Sequence, residues 1–129
     1  MKDHFKENES VTCRIVDNIL YHVYKKNFVD LNAAKQSVEA KIALCGKESY
    51  PTLIDIRNVK STTKEARDYL SGSKGLENIS IAAILAPTLI SRLIGTFFMT
   101  FNNPGIRIKL FTDEQDAVKW LKKESSQLG

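Results

Sequence analysis

Residues 79–85, ISIAAIL, constrain the fold more than any other stretch, because every side chain except that of Ser80 is apolar on both faces of an extended segment. Such a strand needs cover on both sides and so belongs in the middle of a sheet. Pro87 follows at a place suited to the first turn of a helix, where its missing N–H costs nothing. The alternative is a membrane span, since Ile81 to Phe101 is a run of 21 residues with the single charge of Arg92. A central Arg costs about 2.5–3.5 kcal/mol on insertion scales, and Pro87 interrupts the run. A buried strand followed by a helix is therefore expected. In that helix Leu89, Leu93, Phe97 and Phe101 run beside Ile90, Ile94 and Phe98. Core packing accounts for most of this wide stripe, and its aromatic surplus is expected to face a partner or a ligand pocket.

Further strands and helices surround this centre. Val11, Cys13 and Ile15 alternate with Thr12 and Arg14, and a second apolar run, Ile19 to Tyr24, follows Asp17-Asn18. Asp-Asn tolerates the positive φ of a tight turn, so a β-hairpin is expected. After a connection at Lys25 to Phe28, Leu31, Ala34, Val38, Ile42 and Cys45 fall on one helical face, which Gly46 can end as a left-handed cap. Thr52 to Ile56 reads as a buried strand and Thr63 to Leu70 as a helix. Thr62 and Glu65 have capping-box spacing. Ser71 to Gly75, SGSKG, reads as a turn, since it lacks the GK[ST] ending of a phosphate loop. Asn102-Asn103-Pro104-Gly105 stops the long apolar helix. Ile106, Ile108 and Leu110 then alternate with Arg107 and Lys109 in a half-exposed strand. Thr112 and Gln115 have capping-box spacing ahead of a last helix through about Lys123 that buries Ala117, Val118 and Leu121.

The order is ββαβαβαβα, and alternating strands and helices imply right-handed parallel crossovers beside the antiparallel hairpin. The expected α/β fold is a single domain over residues 11–124, with a mixed, mostly parallel five-stranded sheet and helices mainly on one face. Residues 1–10 are expected to be a flexible tail and 125–129 another. A sheet wound in one direction lacks the strand-order reversal at which doubly wound folds bind nucleotides, which disfavours a Rossmann-type cofactor role. The second apolar face of residues 79–85 must be covered by the chain's own segments or by a second copy, so a homodimer is expected.

Composition bounds the function. The chain has 129 residues, 43% hydrophobic and 26% charged, as in an ordinary folded domain rather than a disordered one. The net charge of +4 comes from scattered basic residues, with Lys25-Lys26 and Lys122-Lys123 the adjacent pairs, and makes no nucleic-acid footprint. Cys13 and Cys45 have no CxxC or histidine spacing for a metal, and no cofactor is implied. The start, MKDHFKENES, has no apolar core of an export signal, so the expected location is cytoplasmic.

The element order, with hydroxyls opening the helix after the third strand, resembles the STAS domain of anti-sigma-factor antagonists. NILYHVYK at Asn18 to Lys25, YPTLIDIRNVKSTTKEARDYL at Tyr50 to Leu70, SRLIGTFFM at Ser91 to Met99 and LFTDEQDAVKWLKK at Leu110 to Lys123 are similar to small bacterial proteins of the SpoIIAA-like, or STAS/SEC14-related, class. The STAS resemblance implies phosphorylation of a hydroxyl at the start of the second helix and docking of that region on a protein partner. The matching residues here are Ser61, Thr62 and Thr63, flanked by Asn58, Lys60 and Lys64, although Asn58-Val59-Lys60 replaces the antagonists' D-S-x-G-like signature. The SEC14-related resemblance implies instead a site for an apolar small molecule or lipid between the long apolar helix and the sheet, at Asp55, Ile94, Phe97, Phe98 and Phe101. The expected function is a non-enzymatic regulatory or protein-interaction domain, with the apolar binder as the alternative. For catalysis, His22 reads as a satisfied structural histidine and Asp55 lacks an evident nucleophile or metal partner.

Overall fold

The computed structural model describes residues 4–100 and 106–128. Its strands are β1 (Phe5–Glu7), β2 (Val11–Val16), β3 (Ile19–Tyr24), β4 (Phe28–Val29), β5 (Tyr50–Asp55), β6 (Ser61–Thr62), β7 (Ile79–Leu85) and β8 (Arg107–Phe111). The helices are α1 (Leu31–Cys45), α2 (Lys64–Leu70), α3 (Ser73–Leu76), α4 (Leu89–Thr100) and α5 (Glu114–Leu128). The main sheet is mixed, in the order β1-β2-β3-β5-β7-β8. β1, β2 and β3 pair antiparallel, and β3, β5, β7 and β8 pair parallel.

Local chemistry explains the hairpin: Asp17 and Asn18 have φ of 52° and 64°, and Val16 faces Ile19 across the turn. Two positive φ values give a turn whose twist matches that of the flanking strands. The sheet has six strands rather than five because Phe5–Glu7 pairs with β2. The Asn8 side chain turns the chain between them, its Oδ1 accepting from the N–H of Ser10 and Val11 at 2.9 and 3.1 Å. Residues 5–10 are thus tied into the fold and are not a tail. At the other end α5 continues past Lys123 to Leu128, so the expected break at 125 is absent. Pro51 lies within a central strand, where a missing N–H is ordinarily excluded, and it is accommodated at a register shift between Tyr50 and Pro51.

Two caps differ from expectation. Thr63, not Thr62, caps α2, its hydroxyl accepting from Ala66 N–H at 3.1 Å, while Thr62 belongs to β6 and pairs with Val29. Ahead of α5, Asp113 replaces Thr112, its carboxylate accepting from Asp116 N–H at 3.0 Å. Pro87 precedes the first turn of α4, which Thr88 and Ser91 close reciprocally. The stop at Asn102 to Gly105 lies outside the described residues.

β7 does sit centrally, buried on both faces. Toward α1, α2 and α4 its Ile84 joins Leu20, Ala34, Ala66 and Ile94. On the other face Ile81, Ala83 and Leu85 pack with Ile19, Leu53, Ala117 and Leu121, so α5 of the same chain covers it. That removes the reason for expecting a second copy there. Among the described residues no helix is long and apolar enough to cross a membrane.

Candidate functional site

Alternation along β3 sends Leu20, His22 and Tyr24 toward α1, whose N-terminus is fixed by Asp30 accepting from Ala33 N–H at 2.9 Å. The expected buried stripe of α1 is rotated. Leu31 and Ile42 are only half-buried, whereas Ala34, Ser37, Val38, Lys41 and Cys45 are buried, and Lys41 is 1% exposed. Between this stripe, the sheet and the α2–α3 segment lies a cavity of about 70 Å³. Its walls are mostly aliphatic, with Val38, Ile54, Ile84 and Ile94 among them, and His22, Tyr24, Ser37 and Lys41 bring polar atoms to it.

Most of those polar atoms already have partners. Ser37 Oγ donates to Ala34 O at 2.8 Å, so Tyr24 donates to Ser37 Oγ at 3.1 Å. Lys41 Nζ donates to Gly75 O at 2.7 Å, to Glu77 O and, at 3.5 Å, to Lys74 O, using the three protons of its ammonium on the α3–β7 connection. Asn78 holds that connection in place, with φ of 72° and its amide donating to Gly46 O and Glu48 O at 2.9 and 2.8 Å. Thr62 and Ser71, also in the lining, donate to Val29 O and Arg67 O at 2.9 and 2.8 Å. His22 is the exception: its ring stacks on Tyr24 with centroids 5.2 Å apart, and Nε2 is buried with no hydrogen-bond partner among the described residues. The expectation of a satisfied histidine is corrected on that atom.

Burial shifts these groups away from their charged forms. His22 is held neutral, its pKa lowered to about 3 by burial and then by the charge of Lys41. Lys41 is lowered to about 8, mainly by burial, and Tyr24 is raised to about 12 by the same cause.

The residues expected to form a pocket are only partly together. Ile94 lines the cavity. Phe97 points outward, 52% exposed, with the Arg67 guanidinium 5.1 Å from its ring centroid. The side chain of Phe98 and all of Phe101 lie outside the described residues. Asp55 is buried at the carboxyl end of β5, where its carboxylate accepts from Arg57 N and Nε at 3.1 Å, and it is not part of the lining. Arg57 Nη2 also reaches Glu114 at 3.1 Å, and the bond to Asp55 raises the Arg57 pKa.

Around the hydroxyl cluster, Asn58, Lys60 and Ser61 are exposed, and Lys64 pairs with Asp68 at 2.8 Å. Thr62 and Thr63 have their hydroxyls engaged as described above. Sequence reasoning missed His22, Tyr24, Ser37 and Lys41 as one group. A signal was present in α1, where positions 34, 38, 41 and 45 repeat at i, i+4, i+7 and i+11, a more regular stripe than one through Ile42. Among the described residues no three His, Cys, Asp or Glu are grouped to hold a metal. Cys13 and Cys45 are buried free thiols.

Similarity to known proteins extends to the fold. A solved structure of an uncharacterized protein of the DUF3478 family with a SpoIIAA-like fold, from Shewanella loihica PV-4, is 20% identical, with a TM-score of 0.57 over 90% of this chain and 98% of that one. The SpoIIAA-like fold is thereby shown, while membership of the STAS family is not. A protein of unknown function from Arthrobacter sp. FB24 is 24% identical, with a TM-score of 0.33 over 85% of this chain and 97% of that one. No curated protein matches. The model of the family described as "Domain of unknown function (DUF7793)" matches residues 13–125, and the chain belongs to that family.

Proposed function

We propose that this chain is a non-catalytic binding domain that takes one small, mainly apolar molecule into the cavity between α1, the sheet and the α2–α3 segment. The observation that carries this reading is His22 Nε2, buried without a partner beside a mostly aliphatic cavity. Buried polar atoms in native proteins are nearly always hydrogen-bonded, and of the buried side-chain atoms without a partner among the described residues, His22 Nε2, Arg67 Nε and Asn78 Oδ1, that of His22 belongs to a residue of the cavity lining. Mostly apolar walls with a few placed polar groups are the usual make-up of a small-molecule site.

This reading is favoured over the phosphorylation switch by the hydroxyls themselves. Thr63 caps α2 and Thr62 ties β6 to Val29, which leaves Ser61 as the exposed hydroxyl of the three. The test is xenon titration followed by two-dimensional NMR, because an apolar cavity that takes benzene is about 150 Å³ and this one is about 70 Å³. Saturable shifts are expected at Val38, Ile54, Ile84 and Ile94, and they should vanish in a folded Val38→Phe variant whose ring fills the space. If xenon leaves those four residues unmoved, the cavity is not a binding site.

A further inference from the structure

Among the described positions of α4, Ser91, Ile94 and Gly95 are buried, while Leu89, Ile90, Leu93, Phe97 and Met99 are 39–67% exposed. The small residues let the helix lie close to the sheet: a Cβ on Gly95 would fall 2.6 Å from Leu110 Cδ1. The other large apolar side chains left exposed among the described residues, Phe5, Val16 and Phe28, are spread over β1, β2 and β4. Leu89, Leu93 and Phe97 stand at i, i+4 and i+8, a ridge about 12 Å long with Ile90 on its flank. The adjoining ridge of Thr88, Arg92 and Thr96 is polar and exposed.

Area and charge decide what covers the apolar ridge. Its side chains present on the order of 500 Å² of apolar surface, at the upper end of what a monomeric protein leaves bare. With the polar ridge added, the face approaches the roughly 800 Å² per partner of a standard stable interface. The one charge of α4 is Arg92, and no Asp or Glu occurs from Asn78 to Thr112. A partner selected by its charges finds little here to pair with. An anionic bilayer is disfavoured as well, because α2, which reaches the ridge where Arg67 meets the Phe97 ring, exposes Glu65 and Asp68, and its Lys64 is already paired with Asp68. A second copy brings a surface that matches in length and in its lack of charge, and it leaves Arg92 at the wetted rim.

We infer that α4 is the interface of a homodimer, in which this ridge packs on its own copy across a two-fold axis at Leu93. The two helices then run antiparallel, with Leu93 against Leu93 of the second copy and Leu89 opposite Phe97 of the second copy, a shorter side chain against a longer one. The assignment does not depend on the cavity, which α4 borders from its buried side through Ile94.

The test is sedimentation equilibrium on the full chain over a series of concentrations. A dimer of micromolar or tighter affinity is expected, the range of standard-size interfaces. Leu93→Glu and Leu93→Lys, at a position 59% exposed, should each keep the fold and weaken the dimer by about a hundredfold, because each sets two like charges against one another. An equimolar mixture of the two variants should form the dimer again, since residue 93 meets its own copy; a folding defect would not be rescued in this way. Val16→Glu, which adds the same charge at the hairpin, should leave the dimer unchanged. A wild type that stays monomeric at every concentration overturns the inference, and its co-sedimentation with phosphatidylglycerol–phosphatidylcholine vesicles would assign the ridge to a membrane instead. A dimer that both Leu93 variants leave intact places the interface elsewhere. Dissociation by each variant without recovery in the mixture overturns the two-fold pairing at Leu93.

Discussion

Lys41→Met replaces a buried ammonium by a side chain of similar length, and its effect on stability should depend on pH in a way that surface lysines cannot imitate. At pH 7 two terms oppose each other. The carbonyls of Gly75 and Glu77 lose their donor, which costs about 1–3 kcal/mol for each buried group left unpaired. Removing the buried charge returns about 3 kcal/mol, because burial lowers the Lys41 pKa from 10.5 to about 8 and each unit is worth about 1.4 kcal/mol. The net change at pH 7 is therefore small, and the slope is the diagnostic quantity. Between pH 8 and 10.5 the unfolded chain binds the proton that the folded chain has released, so wild-type stability rises with pH across that window. From pH 7 to 9 the gain from this group is about 1 kcal/mol. The Cys13 thiol, raised by burial from 9.0 to about 12, acts in the opposite sense above pH 9, in both proteins. Urea unfolding of wild type and Lys41→Met at intervals from pH 7 to 9 should show the wild type gaining on the variant by that amount. Parallel stability curves would mean that the Lys41 ammonium keeps its hydration in the folded state, and the account of a buried, carbonyl-bound charge would be wrong.

Other perturbations probe the neighbouring contacts. His22 is lowered to about 3, so below pH 6.5 the unfolded chain binds a proton that the folded chain refuses; stability should fall by about 2 kcal/mol from pH 7 to 5, and His22→Phe should remove that part of the loss in urea titrations. Gly75→Ala should cost roughly 3 kcal/mol or more by thermal or urea unfolding, because the new Cβ would lie 2.0 Å from Leu70 O, a backbone atom that cannot swing aside. Thr63→Ala should cost about 1 kcal/mol as a lost helix cap, whereas Thr62→Ala should leave α2 intact and loosen β6, seen as faster amide exchange at Ser61 and Thr63.

Legibility followed the range of the interactions. The hairpin at Asp17-Asn18, the end of α1 at Gly46, whose φ of 61° is positive although its ψ of −118° is not that of a left-handed cap, and the central place of Ile79–Leu85 were readable because each depends on residues within a few positions. Strand β1 was not, since FKE has no apolar alternation and forms only because Lys6 finds Cys13 across the sheet. The caps slipped by one residue because Thr62 and Thr63, or Thr112 and Asp113, are equally good acceptors, and the β4–β6 pairing decides between the first two. Phe97 looked like pocket lining because helical spacing places it beside Ile94, yet solvent and Arg67 meet it instead. For the cavity the limit is more basic. A lysine or histidine in a one-dimensional pattern reads as surface, and only the carbonyls of residues 74, 75 and 77, more than thirty positions from Lys41, make burial of its charge tolerable.

The two buried groups also bear on why the cavity keeps them. An aliphatic residue at position 22 would pack against Tyr24 without the cost of an unpartnered imidazole or the acid sensitivity it brings. His22→Phe should therefore match or exceed wild-type stability at pH 7 and exceed it clearly at pH 5, where the proton that the folded imidazole refuses adds to the cost. A variant less stable than wild type at both pH values, in urea unfolding, would mean that the imidazole makes a stabilising hydrogen bond in the folded protein and that its burial is not a cost.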